Sequence, residues 1–442
     1  MSTQPDVIVI GAGAAGLAAS AKLGQAGLAV LILEARDRIG GRMFTQHDPA
    51  CAYPIELGAE FIHGLAPEIW QPLQQANVNI VEVSGQSWCV ENDRICACDF
   101  FDEVDEILQK MNDHSPDESF LDFLNRCCPK ASERAKQRAL AYIVGFNAAD
   151  PTLVGVHWLV QGMRADEVIE GDRAFRASGG YARLVEILRS QLPSSTSLQT
   201  ETVVNGIRWR QGEAAITASS NNGQNTFNSP RVLITVPLAV LKARPEELGA
   251  IEFSPSLPST KIAALNKLEM GKITRIVLRF RERFWETISP PDQPKKTLSD
   301  MSFLFSQDEW FPTWWTTMPH KSPLITGWAP FHSAERLSSH DQGFVVERSL
   351  KTLGRLLRVS IQTIQDQFQS AYCHDWQNDP FSRGAYSYGK VGSGGAQQRL
   401  AEPIAGTLFF AGEATDVTAH NGTVHGAMAS GYRAAAQVLG EL

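Results

Sequence analysis

Residues 6–34 read DVIVIGAGAAGLAASAKLGQAGLAVLILE, and the order of residue types in this stretch decides the fold. The opening run, Asp6-Val7-Ile8-Val9-Ile10, is short, apolar and β-branched, as suits a strand buried on both faces of a parallel sheet. Gly11-Ala12-Gly13-Ala14-Ala15-Gly16 follows, then a helix pattern of small residues to Gln25, and after Gly27 a second apolar run that ends at Glu34. Strand, glycine turn, helix and strand make one βαβ crossover. The three glycines serve different ends. Gly11 permits the tight turn, Gly13 lets a pyrophosphate approach the backbone, and Gly16 lets helix pack on strand. The helix N-terminus adds free amides and a partial positive charge. Glu34 lies about 20 residues beyond the turn, where a carboxylate reads a ribose and disfavours a 2′-phosphate.

The composition outside this stretch sets limits. The chain has 442 residues, 43% hydrophobic and 20% charged, enough apolar matter for about two or three folded units. With 40 basic and 48 acidic residues the net charge is −8, which argues against a reader of nucleic-acid phosphates. Seven cysteines include the pairs Cys96/Cys98 and Cys127/Cys128, which lack the spacing of zinc or redox motifs. No metal site, no disulfide scaffold and a reducing compartment are therefore expected. Residues 1–6 carry no positive charge ahead of the first apolar run, and no run approaches the roughly 20 residues of a spanning helix. A soluble, cytoplasmic chain is expected. Residues 100–175 read mostly as helix, 197–219 and 231–238 as strands, and the polar stretch 219–229 as a hairpin loop. Residues 256–380 mix strands with a helix near 347–357, and the chain closes on a strand and a helix.

Just past Glu34 stands a second glycine turn, Arg38-Ile39-Gly40-Gly41-Arg42, able to set backbone amides and a guanidinium against the same pyrophosphate. The nonapeptide EARDRIGGR, residues 34–42, resembles the flavin-containing amine oxidase family, which includes monoamine oxidases, polyamine oxidases and lysine-specific histone demethylases. The resemblance continues through residues 56–64 (ELGAEFIHG), Val236-Pro237-Leu238, Phe284-Trp285, Asp379-Pro380, residues 383–388 (RGAYSY), Phe410-Ala411-Gly412-Glu413 and residues 422–427 (GTVHGA). It implies FAD as cofactor and an α/β fold in which a Rossmann-like FAD-binding domain is interleaved with a smaller α+β substrate domain. The implied FAD-binding segments are 1–82, 177–258 and 383–442, and the substrate segments are 83–176 and 259–382. By the same resemblance Gly11, Gly13, Gly16, Glu34, Ala35, Arg36, Gly41 and Arg42 hold the adenosine and pyrophosphate. Gly58, Ala59, Glu60 and Phe61 run beneath the flavin ring, and Val203 holds the adenine by its backbone. Trp376, Gly412, Glu413, Thr423 and Val424 complete the cofactor set. Phe284-Trp285 is expected to end a strand passing the ring.

Departures from the family pattern sharpen the reading. Where two family members carry a cysteine bonded to the flavin this chain has Ala385, and Cys373 lies too far upstream, so FAD is expected to be noncovalent. The family's lysine near flavin N5 stands nine residues before the phenylalanine of the Phe-Trp pair. Here that position is Arg275, while Lys272 falls on the opposite face of a strand. An arginine keeps charge and donors but cannot act as a base. Tyr386 matches one ring of the family's aromatic cage, and the second position is Thr423. His63 stands where relatives carry a histidine or an acid; it could bind an amine or be satisfied by a backbone carbonyl. His425 is read as structural, and Trp314, Trp315 and Trp328 as either cavity lining or packing. The long helical insertion of the histone demethylases is absent from the sequence, and no basic patch suggests chromatin.

The resemblance thus implies oxidation of a small amine. Hydride passes to flavin N5, the imine hydrolyses to an aldehyde or ketone, and oxygen is reduced to hydrogen peroxide, with Arg275, Tyr386, His63 and Thr423 around the reacting atoms. An amine dehydrogenase with poor oxygen reactivity, an amino-acid oxidase, a carotenoid-type desaturase and a flavin-bearing binding protein without turnover are the alternatives. Monoamine, polyamine and cyclic secondary amine all stay open as substrates.

Overall fold

The computed structural model describes residues 4–290 and 293–441; residues 1–3 and 442, at the two ends of the expected FAD-binding segments, and residues 291–292 lie outside the described residues. The first crossover sits in a five-stranded parallel sheet. Its strands, in spatial order, are Thr196–Gln199, Val30–Leu33, Val7–Ile10, Val232–Ile234 and Leu408–Phe410. Every residue of Val7–Ile10 and Val30–Leu33 is buried because both faces are covered. Val7 and Val9 pack into one core with helices Ala14–Gln25 and Val424–Leu439; Ile8 and Ile10 pack into another on the far side. The first and last helices meet closely, since a Cβ on Gly431 would lie 2.4 Å from the Ala15 carbonyl oxygen.

A four-stranded sheet lies beside this one, in the order Gly223–Ser229, Glu213–Ser220, Val203–Arg210 and Glu252–Ser254. Here the expected loop at 219–229 is corrected: only a tight turn separates Glu213–Ser220 from Gly223–Ser229, and the two pair from Ser220 opposite Gly223 to Ala214 opposite Ser229. Gly223–Ser229 is an exposed edge strand, so its polar side chains cost nothing while its backbone is paired on one side.

The largest sheet has seven strands, in the order Phe368–Cys373, Ile273–Phe280, Leu324–Pro330, Thr313–Thr316, Met301–Phe305, Gln86–Glu91 and Arg94–Ala97. Helix Gln342–Leu357 covers it; the helix starts earlier than expected because Asp341 caps the Phe344 amide at 2.8 Å. Helices Phe100–Leu108, Phe120–Cys127, Glu133–Phe146 and Val156–Val168 form a separate apolar cluster. Phe284-Trp285 does not end a strand. The strand stops at Phe280, Phe284–Thr287 is a 3₁₀ turn, and Trp285 is fully buried against Phe280.

The cysteine reading is corrected too. Cys89 and Cys98 are disulfide-bonded across the hairpin of Gln86–Glu91 and Arg94–Ala97, and Cys51, Cys96, Cys127, Cys128 and Cys373 take no part in a disulfide. A separation of nine residues spanning a turn leaves no C-x-x-C trace, so spacing alone missed the pair, and the inference of a reducing compartment loses its support. No helix among the described residues is long and apolar enough to cross a membrane, and no group of three or more His, Cys, Asp and Glu side chains there could hold a metal.

Candidate active site

The glycine turn of the first crossover is built against Thr235, whose hydroxyl donates to the Ile10 carbonyl at 2.8 Å and stands 2.8 Å from where a Gly11 Cβ would be. Gly11 has φ +102°, and a Cβ on Gly16 would lie 2.0 Å from the Gly11 carbonyl oxygen, so both positions require glycine. Gly13 caps helix Ala14–Gln25 with no side-chain hydrogen bond and no acidic residue in the first turn, which leaves the terminal amides open. The second glycine turn comes up against the first. The Gly40 amide donates to the Ala12 carbonyl at 2.8 Å, and a Cβ on Gly41, at φ +58°, would lie 3.2 Å from the Gly13 Cα.

Side chains close this end. Buried Glu34 accepts from the Ala12 amide at 2.7 Å and the Arg36 amide at 3.0 Å, with Ala35 between Glu34 and Arg36. Arg36 pairs with Asp379 at 2.7 Å. The Glu34 carbonyl accepts from Thr202, which sets Val203 beside it. Arg38 lies 3.8 Å over the Phe44 ring and donates to the Gly41 carbonyl, yet its Nη2 is buried without a partner. Burial and then the neighbouring Arg36 bring the Arg38 guanidinium down to about 10. An uncapped helix terminus, an orphaned guanidinium nitrogen and a cradle that any Cβ would fill together fit the pyrophosphate of FAD.

Segment 58–61 leads away from that turn. The Ala59 amide donates to the Arg42 carbonyl at 3.1 Å, and a Gly58 Cβ would lie 1.9 Å from the same oxygen. The Trp376 indole, buried alongside, donates to the Leu57 carbonyl at 2.7 Å. Glu60 is the hub of a buried ionic network. Its carboxylate accepts from Arg176 Nε at 2.7 Å, from Trp315 Nε1 at 2.9 Å and from Arg275 Nη2. Burial alone would raise the Glu60 carboxyl, but the two guanidiniums more than offset it and hold it below the usual range. Its side chain is committed to these partners, leaving the backbone for a cofactor. Arg275 also donates to the Gly58 carbonyl at 2.7 Å, is only 4% exposed, and has a buried Nε without a partner. Nearby Glu56 accepts from the Tyr181 amide and the Thr45 hydroxyl, and burial pushes its carboxyl up to about 7.

The C-terminal signature supplies the remaining wall. Glu413 accepts from the Ser387 hydroxyl at 2.6 Å, the Gly422 amide at 3.0 Å and Arg42 Nη1 at 3.0 Å, so the second glycine turn and the last helix share one carboxylate. Arg42 also donates to the Ala385 carbonyl at 2.7 Å. Gly412, at φ +122°, donates its amide to Ser430. The Thr423 hydroxyl is spent on capping: it accepts from the Gly426 amide and donates to the His420 carbonyl, with Val424 opening the helix behind it. Only the methyl side of Thr423 is left for a substrate. The Tyr386 ring lies against Gly422, and its hydroxyl donates to the Phe146 carbonyl at 2.7 Å. His63 meets the Phe146 ring edge-on at 5.4 Å, and burial brings its imidazole down to about 4, so it is a neutral wall near pH 7. Buried His425 is likewise brought down to about 3, first by burial. Trp314 packs in the core with its indole on the Phe311 carbonyl, Trp315 binds Glu60, and Trp328 donates to the Gly145 carbonyl. Arg176, Glu56 and Ser387 were not singled out from the sequence; the pairs Arg176–Glu60, Glu56–Tyr181 and Ser387–Glu413 span 116, 125 and 26 residues, beyond any spacing rule.

The model of the family described as flavin containing amine oxidoreductase matches residues 14–126 and 105–439. Lysine-specific histone demethylase 1 homolog 2 of Arabidopsis thaliana is 29% identical over 99% of this chain, which spans only 59% of that protein. Probable polyamine oxidase 4 of the same plant is 27% identical over 98% of this chain and 86% of its own length. Among solved structures, wild-type putrescine oxidase bound to putrescine has a TM-score of 0.81 at 19% identity, covering 99% of both chains, a likeness of fold. The chain belongs to the flavin containing amine oxidoreductase family.

Proposed function

We propose that this chain is an FAD-dependent oxidoreductase acting on a small amine. The observation that carries the reading is the pair of glycine turns meeting at Gly13 and Gly41, in a family whose model covers nearly the whole chain. When bound, FAD would supply the hydride-accepting chemistry for the carbon beside the amine nitrogen, with oxygen as the final acceptor. The products would be hydrogen peroxide and an imine that water converts to an aldehyde or ketone with release of ammonia or an amine. Gly11, Gly13, Gly16, Glu34, Ala35, Arg36, Gly41, Arg42 and Val203 would hold its adenosine and pyrophosphate. Gly58, Ala59, Glu60, Phe61, Trp376, Gly412, Glu413, Thr423 and Val424 would frame the ring end. Ala385 supports noncovalent attachment. FAD-binding segments 1–82, 177–258 and 383–442 alternate in this reading with substrate segments 83–176 and 259–382.

The work left to side chains is orientation and dryness. Tyr386, pinned through its hydroxyl, offers a fixed ring face to the amine. Neutral His63 and the Thr423 methyl keep that space uncharged, so the amine has to arrive with its lone pair free. No side-chain base is needed for that. Anaerobic mixing with a panel of amines should bleach the flavin band, and peroxide should form when air is admitted. A flavin that no amine bleaches would refute the proposal.

A second reading, a dehydrogenase with slow oxygen turnover, draws on Arg275, whose guanidinium is tied to Glu60 and Gly58. Arg275→Lys should speed reoxidation while amine reduction stays intact; unchanged oxygen kinetics would remove Arg275 from that step.

A further inference from the structure

Between helix Gln342–Leu357 and the loop that joins Met301–Phe305 to Thr313–Thr316 lies a cavity of about 400 Å³. That volume is in the range of small-molecule sites. The helix contributes Arg348, Lys351, Thr352 and Arg355, whose spacing of three, four and seven residues sets them on one face. From the loop come Asp308, Glu309 and Trp310. Local bonds fix the loop: Asp308 accepts from the Trp310 and Phe311 amides at 2.8 Å each and from the Thr352 hydroxyl at 3.4 Å.

The acids of this lining are already matched. Asp308 pairs with Arg355, which also reaches Asp93 at 3.9 Å. Glu309 pairs with Arg336 at 2.7 Å and accepts from the Trp310 indole at 2.9 Å. Arg348 is different. No carboxylate among the described residues bonds it, and its guanidinium lies 4.4 Å over Trp310 and 5.3 Å over Phe344. Ring faces hold a guanidinium in place and leave its N–H edges free. Lys351 pairs with Glu347, but both side chains are more than half exposed, so an anion can draw the ammonium away at little cost. One planar fork and one flexible point charge thus border a cavity whose own acids are neutralised. The geometry points to a binding site for a dianionic phosphoryl group, held bidentate by Arg348 with Lys351 answering its second charge. A single carboxylate would fill the fork but bring no second charge to Lys351. Since the cavity is larger than a bare phosphate needs, the ligand class is a phosphate monoester of a small molecule.

The test is calorimetric titration of the holoenzyme at about pH 8, where a phosphate monoester carries two charges. Glycerol 3-phosphate, inorganic phosphate and succinate serve as probes, with ionic strength matched by potassium chloride. Glycerol 3-phosphate should bind at one site per chain and more tightly than succinate. Arg348→Gln should weaken it by about 10- to 100-fold, as for loss of hydrogen bonds to a charged group, and Lys351→Gln by less. Arg348→Lys keeps the charge without the fork and should fall between; it stands in should the Gln variant fail to fold. Tighter binding of the ester than of inorganic phosphate supports a phosphorylated small molecule, and equal binding supports free phosphate at the same phosphoryl site. No binding of either phosphate, wild-type affinity in Arg348→Gln, or succinate bound as tightly as the ester would overturn the assignment.

Discussion

Around Gly13 and Gly41 the chain works with bare backbone: two turns touch without side chains between them, and the helix terminus is left uncapped. Around Glu60 it works with charge, two guanidiniums and an indole converging on one carboxylate away from water. The first arrangement tolerates no added volume and little depends on its ionisation. The second tolerates no lost charge, because removing one partner strands the others in a low dielectric. One site thus has two independent ways to fail, and they can be separated by experiment.

The largest effect should come from the charged end. Glu60→Gln leaves Arg176 and Arg275 buried without their counter-ion and should cost about 3–5 kcal/mol of stability, read by denaturant unfolding. A loss below about 1 kcal/mol would show that water or rearranged backbone compensates the pair. At the backbone end, Gly16→Ala drives a methyl into the Gly11 carbonyl and should cost about 1–3 kcal/mol. It should also lower the flavin-to-protein ratio after purification, and normal flavin content would mean that the turn can spread. Tyr386→Ala belongs to neither end and should slow flavin reduction by about 10- to 100-fold through lost orientation, with both ends intact. A wild-type rate would make Tyr386 mere packing. The smallest effect is a pH slope. Folded Glu56 binds its proton more tightly than the unfolded chain does, so its contribution is fully present below the ordinary glutamate range and is lost as pH climbs toward about 7. Subtracting the stability of Glu56→Gln from that of the wild type at each pH should reveal that decline, and a flat difference would mean that Glu56 is already ionised when buried.

The same contrast explains what could be read in advance. Residues 11–16 and Glu34 were legible because the backbone turn is local: spacing within one crossover states the geometry. The Glu60 network was not, because its guanidiniums come from 116 and 215 residues away and nothing near Glu60 announces them. Thr423 was placed by family pattern, but that pattern cannot say whether a hydroxyl caps a helix or faces a ligand. Phe284-Trp285 misled for a related reason, since an aromatic pair after a strand reads equally well as its last residues or as a core plug beyond it. The polar strand Gly223–Ser229 escaped because an edge strand with both faces wet carries no hydrophobic alternation.

The close seating of Gly431 on Ala15, and of Leu408–Phe410 beside Val232–Ile234, ties the two termini of the chain into one layer. During synthesis the crossover of residues 7–33 is made long before the strand and helix that cover it. A nascent chain halted before residue 408 would therefore expose the apolar face meant for those elements, and closure of this layer would have to wait until both had been made.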